Sequence, residues 1–227
     1  MNRRYPALAA IIITFALFAV LVGNFMKSPH AAFAMQADRA IYLTFDDGPS
    51  DRVTPKILDI LKEENVPATF FIVGIRAKDR KEILKRAVAE GHTLAIHSYT
   101  HDYNEIYASA DALLKDIEKC NKVICSVTGE YSSIYRFPGG SYTVNPTLIK
   151  AVNAMGFRYV DWNASFRDSE LANATSTDLY NAAINTVANQ QSIVMLAHDA
   201  TDKIETVGAL KEVIKHFKEL GYTFKKF

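Results

Sequence analysis

The chain has 227 residues, 49% of them hydrophobic and 22% charged, with a formal net charge of +1, and this composition argues for a globular protein rather than a disordered one. Its length suits one well-buried domain. Residues 1–37 carry three basic and no acidic side chains, which leaves 23 basic and 25 acidic residues in the remainder, a balance that gives no reason to expect a nucleic acid as partner.

The first predicted element is an apolar N-terminal helix. Residues 7–23 contain no charged side chain and follow Arg3 and Arg4, and residues 32–34 (Ala-Phe-Ala) offer a small-x-small cleavage site. The run is longer than a usual secretory h-region and slightly shorter than a comfortable membrane span. We therefore expect residues 1–34 to be a signal peptide or an uncleaved signal anchor in the membrane, and the remainder to be extracytoplasmic.

From residue 40 onward, strands and helices are predicted to alternate, which is typical of an α/β protein with a parallel sheet. Short apolar runs predict buried strands over 41–45, 68–73, 93–97, 134–137, 157–161 and 193–198. Amphipathic patterns predict helices over 54–64, 78–90, 108–128, 145–155, 177–189 and 206–220.

Cys120 and Cys125 both fall in the helix predicted over 108–128. Residues five apart on a helix project about 140° apart, so a disulfide between them is geometrically poor. No spacing to further ligands suggests a zinc knuckle. We predict two free, half-buried thiols.

Chemistry-bearing residues recur at the ends of successive predicted strands: Asp46 and Asp47, His97, Arg136, Asp161 to Asp168, and His198. The carboxyl edge of a closed α/β barrel carries its active site, whereas an open sheet binds ligands only near a switch point. Polar residues at almost every strand end therefore favour a barrel.

Two strings hold the most specific chemistry, Thr44-Phe45-Asp46-Asp47-Gly48-Pro49 and His97-Ser98-Tyr99-Thr100-His101. One carboxylate and two imidazoles can hold a divalent ion and leave coordination positions open for water. The second aspartate can then accept a proton from that water. Taken singly, each string can be a turn or a chance pattern; together they indicate metal-assisted hydrolysis.

The ordered motifs resemble those of the polysaccharide deacetylases with a NodB-homology domain. TFDDGP and HSYTH match the first two motifs closely, residues 136–140 (Arg-Phe-Pro-Gly-Gly) are similar to the third, and residues 196–198 (Leu-Ala-His) to the fifth. The resemblance covers residues 40–227, after a short linker over residues 35–39. It implies a distorted, incomplete TIM-like (β/α) barrel of about seven parallel strands.

The resemblance also implies roles for single residues. Asp47, His97 and His101 would be the metal ligands, with zinc expected and Co²⁺, Ni²⁺ or Mn²⁺ as alternatives. Asp46 would be the general base, and Arg136 would pair with it and hold it ionised.

On the leaving-group side, His198 would be the general acid that protonates the departing amine, and Asp168 would orient it. For Asp168, a solvated loop aspartate beside Arg167 is the alternative. Leu196 would line the pocket for the acetyl methyl group. The backbone N–H of Gly139, which follows Pro138, would help to stabilise the oxyanion.

The chain departs from the family at two places. Many members have an aromatic residue where Gly139 stands, so we expect that wall of the sugar-binding groove to be missing. In the fourth motif, Ser165 replaces an expected aspartate and Ser169 an expected tryptophan. The only tryptophan, Trp162, fits a core position better than a sugar-stacking one.

These observations predict an exported, monomeric, metal-dependent hydrolase that removes N-acetyl groups from an aminosugar polymer, with peptidoglycan N-acetylglucosamine as first substrate. It would be anchored in the membrane or secreted to the cell wall. An O-acetyl polysaccharide esterase is a variant of the same chemistry. The alternative from another class is a non-catalytic glycan-binding or envelope protein on a deacetylase scaffold.

Overall fold

A computed structural model describes residues 39–188 and 190–227. The signal peptide or anchor predicted over residues 1–34 lies outside the described residues. Among the helices that are described, none has both the length and the apolar character that crossing a membrane requires.

Strands and helices alternate along the described chain. The strands are β1 (Ala40–Asp46), β2 (Thr69–Val73), β3 (Thr93–Ser98), β4 (Ile134–Tyr135), β5 (Arg158–Tyr159), β6 (Ala164–Ser165), β7 (Ser192–His198) and β8 (Thr223–Lys225). The helices are α1 (Thr54–Glu64), α2 (Gly74–Ala77), α3 (Lys81–Ala89), α4 (Tyr103–Ile106), α5 (Ala110–Thr128), α6 (Pro146–Ala154), α7 (Ser176–Asn185) and α8 (Ile204–Glu219).

The strands form one parallel sheet in the order β5-β4-β3-β2-β1-β7-β6, and β8 joins it beside β1. β1 is central: its whole length pairs with β7, its carboxyl half with β2 and its amino half with β8. All five residues of β2 are buried, as expected for a strand covered on both faces. The predicted parallel α/β architecture is thus confirmed as a half-barrel of seven strands plus β8.

A single extended segment, residues 158–166, runs between the two edges of this sheet. At its start, Arg158 and Val160 donate their N–H groups to residues of or before β4. Farther along, Asn163 and Phe166 donate to Val194 and Leu196 of β7. Among the described strands, β5 and β6 stand at the two ends of the pairing order and do not pair with each other, so the barrel is incomplete and distorted. The strand predicted over 157–161 is therefore shorter, with β6 following it.

Local sequence signals account for most helix boundaries. The Asn145 side chain accepts the N–H of Thr147 at the start of α6, and the Thr175 and Asp178 side chains form a capping box at the start of α7. The helix predicted over 78–90 is wrong in its first turn: α2 ends at Ala77 and α3 begins at Lys81. The helix predicted over 177–189 ends earlier, at Asn185.

The core lies between the sheet and the surrounding helices and includes Cys120, whose thiol donates to the carbonyl of Ile72. Both cysteines are free, as predicted, but only Cys125 is half-buried, since Cys120 lies fully inside the core. His92 is 5% exposed and its Nδ1 accepts the N–H of Ala68. Burial lowers the pKa of His92 to about 4, so it is a neutral structural histidine.

Candidate active site

The carboxyl end of β1 brings two acidic side chains to the edge of the sheet. Asp46 is the register partner of His198 on β7, and side chains in register on neighbouring strands emerge on the same face. Asp46 is 2% exposed. The predicted base and the predicted acid are therefore brought to one side of the sheet.

Arg136 holds Asp46 in place. Its Nη1 donates to Asp46 Oδ1 at 2.8 Å and to the Thr44 hydroxyl at 2.8 Å. The guanidinium is fully buried and lies 4.0 Å from the ring centroid of Phe71. Burial lowers the pKa of Arg136, and the charge of Asp46 opposes this. A buried ion pair of this kind costs desolvation, so it serves to orient Asp46 rather than to stabilise the fold.

Arg136 also reaches the other half of the site through its backbone. Its carbonyl oxygen lies 2.9 Å from Nδ1 of His97. Because Nδ1–H donates to that carbonyl, Nε2 of His97 carries the free lone pair, which is the arrangement of a histidine ligand with its supporting acceptor. One residue thus positions both Asp46 and His97.

Asp47, His97 and His101 converge. Nε2 of His101 lies 3.1 Å from Asp47 Oδ1, and Nε2 of His97 lies 3.6 Å from the same oxygen. The three potential ligand atoms lie within 4.8 Å of one another. Burial opposes ionisation of Asp47, but the two imidazoles outweigh it and lower the pKa of Asp47 well below its usual range.

Two of these three residues have left-handed backbone, with φ of 76° at Asp47 and 61° at His101. Residues other than glycine rarely adopt this conformation, and it costs roughly 1–2 kcal/mol. In a regular strand the side chains of Asp46 and Asp47 would point to opposite faces. Nε2 of His97 instead lies within 3.9 Å of both carboxylates, because the chain turns at Asp47.

The three residues fit a divalent ion. Within the described residues, the buried Oδ1 of Asp47 accepts no hydrogen bond of good geometry, although two imidazole nitrogens face it. An unsatisfied buried oxygen aimed at two ring nitrogens is costly unless a cation completes it. One carboxylate and two imidazoles are a donor set typical of zinc and of similar first-row metals.

His198, at the carboxyl end of β7, is paired with Asp168. Its Nδ1 is 2.7 Å from Asp168 Oδ1, and its backbone N–H donates to Asp168 Oδ2 at 2.8 Å. The hydroxyl of Thr206 donates to the same oxygen at 2.7 Å. Burial opposes the charge on His198, but the hydrogen bond and charge of Asp168 outweigh it and raise the pKa of His198 to about 9.

We expect Asp168→Asn to lower the pKa of His198 from about 9, because burial is then opposed only by the charges of Asp46 and Asp47. NMR titration of the imidazole in the metal-free protein measures this shift. Glu170→Gln is the matched control, since Glu170 is exposed and pairs with Arg167. A His198 pKa that stays near 9 in Asp168→Asn would show that another group sets it.

The residues predicted to bind substrate lie around the same edge. Leu196 is buried on β7, in register with Thr44 of β1. Pro138 is buried and its carbonyl accepts the hydroxyl of Tyr107 at 2.8 Å. Gly139 is exposed, with φ of 78°. Their roles toward substrate stay predictions.

The altered fourth motif keeps Asp168, the aspartate that pairs with His198. Ser165 is buried, and its hydroxyl accepts the N–H of Arg167, while Ser169 is exposed. Trp162 is half-buried, and its ring lies 5.7 Å from the Arg136 guanidinium. Neither serine contacts the converging residues through a hydrogen bond recorded for the described chain.

Sequence reasoning missed Asp116, which holds the HSYTH turn from α5. Its two oxygens accept the Ser98 hydroxyl at 2.7 Å and the N–H groups of Tyr99 and Thr100 at 2.8 and 3.0 Å. The Ser98 oxygen in turn accepts the N–H of His101. A signal existed, since an acidic residue on the apolar stripe of a helix needs buried partners.

Asp199 was also missed. It is fully buried, its Oδ2 accepts the hydroxyl of Thr54 at 2.6 Å, and burial raises its pKa to about 7. A β carbon at Gly48 would lie 2.0 Å from that carboxylate. Position 48 therefore needs glycine because the loop that carries Asp47 packs directly on Asp199.

Comparisons with known proteins agree with this site. A family model described as polysaccharide deacetylase matches residues 34–160. The Bacillus subtilis (strain 168) protein YheN is 35% identical over 193 residues, 82% of this chain and 66% of that protein. Peptidoglycan-N-acetylmuramic acid deacetylase PdaA of the same strain is 31% identical over 189 residues, 83% of this chain and 70% of that protein. The chain thus spans about two thirds of the length of these relatives.

Among solved structures, the catalytic domain of peptidoglycan N-acetylglucosamine deacetylase from Eubacterium rectale ATCC 33656 superposes with a TM-score of 0.77 and 36% identity. The match covers 84% of this chain and 89% of that one. The family model covers more than half of the 227 residues, and the residues of the matching motifs meet at one edge of the sheet. The chain therefore belongs to the polysaccharide deacetylase family.

Proposed function

We propose that this protein is an exported, metal-dependent hydrolase that removes N-acetyl groups from the aminosugars of peptidoglycan, with N-acetylglucosamine as the first substrate. The observation that carries this proposal is the arrangement around Asp46. The Asp46 carboxylate is held by Arg136, lies 3.9 Å from Nε2 of His97, and belongs to the register partner of His198. That arrangement provides for both proton transfers of amide hydrolysis.

Hydrolysis of an acetamide needs a water that has lost a proton, stabilisation of the oxyanion, and a proton for the amine that leaves. A divalent ion held by Asp47, His97 and His101 would supply a Lewis acid for the acetyl carbonyl and would acidify the attacking water. Asp46 takes the proton from that water, because its pairing with Arg136 orients the carboxylate.

The second proton comes from His198. With a pKa of about 9, its imidazole is protonated at neutral pH and can donate Nε2–H to the nitrogen as the C–N bond breaks. Asp168 stays ionised and keeps Nδ1 engaged, so Nε2 is the free donor. The backbone N–H of Gly139 is available to the carbonyl oxygen. The products are acetate and a free amine.

The choice of polymer rests on two different supports. The names of the relatives include deacetylases of both peptidoglycan aminosugars, which we carry over only as a proposal. The second support is the apolar N-terminal segment of the sequence, by which we propose that the domain is exported, so that a short tether would leave it beside the wall. Zinc is the metal proposed, from the carboxylate and two imidazoles.

The test is acetate release by the full chain, stripped of metal and then reloaded with zinc. Three substrates are compared: an N-acetylglucosamine hexamer, peptidoglycan and acetylated xylan. We expect release from the first two only after reloading, and none from a His97→Ala control. Release from xylan alone would favour the O-acetyl esterase, and glycan binding without any release would favour a non-catalytic protein.

A further inference from the structure

An exposed tyrosine adjoins the converging ligand residues. Tyr103 opens α4 two residues after His101, and its ring stands edge-on to that imidazole at a centroid distance of 5.5 Å. Tyr103 remains 48% exposed.

α4 is fixed rather than free to swing. The Asp102 side chain caps it by accepting the N–H groups of Asn104 and Glu105 at 2.9 and 3.4 Å. Tyr107, in the next turn, packs edge-on to Tyr103 at 5.8 Å and donates its hydroxyl to the carbonyl of Pro138. The ring of Tyr103 is therefore held beside the 138–140 loop.

Gly139 makes room for this ring. A β carbon at Gly139 would lie 3.2 Å from the Tyr103 hydroxyl oxygen and 3.3 Å from its Cε1, which is tight for an ordinary contact. The space that a side chain at position 139 would enter first is thus taken by Tyr103. On the other side of the loop, a β carbon at Gly140 would lie 3.0 Å from the Trp162 ring.

We propose that Tyr103 is a substrate-positioning residue, on whose exposed ring a pyranose of the N-acetylated glycan lies while its acetyl group faces the converging ligands. This inference rests on the proposed function. A half-exposed aromatic ring with a polar tip suits a sugar, which presents C–H groups on its faces and hydroxyls at its edges. The groove wall expected to be absent at Gly139 is then supplied from α4.

A purely structural role for Tyr103 would have a different signature. If the ring serves only to support His101, its removal would loosen the metal ligands and leave glycan affinity unchanged. Zinc affinity and glycan affinity must therefore be measured separately on the same variants.

The experiment uses the full chain carrying Asp46→Asn, so that hydrolysis does not consume the ligand, in buffer containing zinc. The Kd for an N-acetylglucosamine hexamer is measured by calorimetry and by the fluorescence of Trp162, the only tryptophan in the chain. Tyr103→Ala and Tyr103→Phe are added in this background. Tyr131→Ala is the matched control, because Tyr131 is 66% exposed and precedes the amino end of β4, whereas Tyr103 follows the carboxyl end of β3.

We expect Tyr103→Ala to raise the Kd about tenfold, which corresponds to a loss of about 1.4 kcal/mol of binding free energy. The zinc stoichiometry should be unchanged. Tyr103→Phe and Tyr131→Ala should stay within about twofold of the parent. An unchanged Kd in Tyr103→Ala, or no binding by the parent, would overturn the inference. Binding by the parent without acetate release by the zinc-loaded wild type would refute the proposed function and leave the inference standing.

Discussion

Replacing Asp46 by asparagine should lower the rate of acetate release by about a thousandfold, within the range that a positioned general base contributes. Asparagine keeps the shape of the side chain and an oxygen for Arg136, but it cannot accept a proton from water. The metal should stay bound, because Asp47, His97 and His101 are intact. Rates on the N-acetylglucosamine hexamer and zinc content by elemental analysis measure the two effects.

The fold should survive this change with a modest loss. Arg136 would lose its buried counter-charge, yet it keeps hydrogen bonds to Thr44 and to the carbonyl oxygen of Val160. We expect the free energy of unfolding to fall by roughly 1–3 kcal/mol. Asp51→Asn is the matched control, since Asp51 is exposed and pairs with Arg80. A zinc-loaded Asp46→Asn that works within tenfold of wild type would mean that another group is the base.

Replacing His198 by alanine should slow amide hydrolysis by about 10²–10³-fold and slow the hydrolysis of 4-nitrophenyl acetate much less. An amine is a poor leaving group and needs a proton as the C–N bond breaks, whereas 4-nitrophenolate leaves without one. Acetate release from the hexamer and nitrophenolate release from the ester measure the two rates on the same protein.

The pH profile gives an independent measure of the same residue. Because the pKa of His198 is raised to about 9, the acid form is present below that pH and is lost as the pH rises through it. Amide hydrolysis by the wild type should therefore fall above about pH 9. The control variant is His216→Ala, because His216 lies on α8.

If His198→Ala slowed the hydrolysis of the amide and of the ester equally, His198 would be excluded as the acid.

Much of this fold could be predicted from the sequence where a pattern is long enough to repeat. The helix predicted over 54–64 coincides with α1, and the strand predicted over 193–198 differs from β7 by one residue. β6 and β8 were missed because they have two and three residues, too few to show a period of two. Their pairing depends on where β7 and β1 happen to lie.

The site residues divide in the same way, into those that a sequence motif shows and those that only packing shows. The residues with a motif of their own, such as Asp47 and His97, were found because order and position at strand ends are visible in the chain. Asp116, Asp199 and Tyr103 were not found, because each acts on a loop distant in sequence. Asp116 lies 15 residues beyond His101, and only the packing of α5 against β3 shows that it holds the turn.

At Asp47 and His101 the left-handed backbone lowers the stability of the fold, whereas the proposed function needs the side chains of both residues. Glycine adopts such a conformation without the clash of a β carbon, so a chain selected only for resistance to heat would gain by replacing either residue. Engineering for thermostability alone would therefore tend to erase two of the three predicted metal ligands. Libraries built on this scaffold need those two positions held fixed, or a screen for turnover applied in every round.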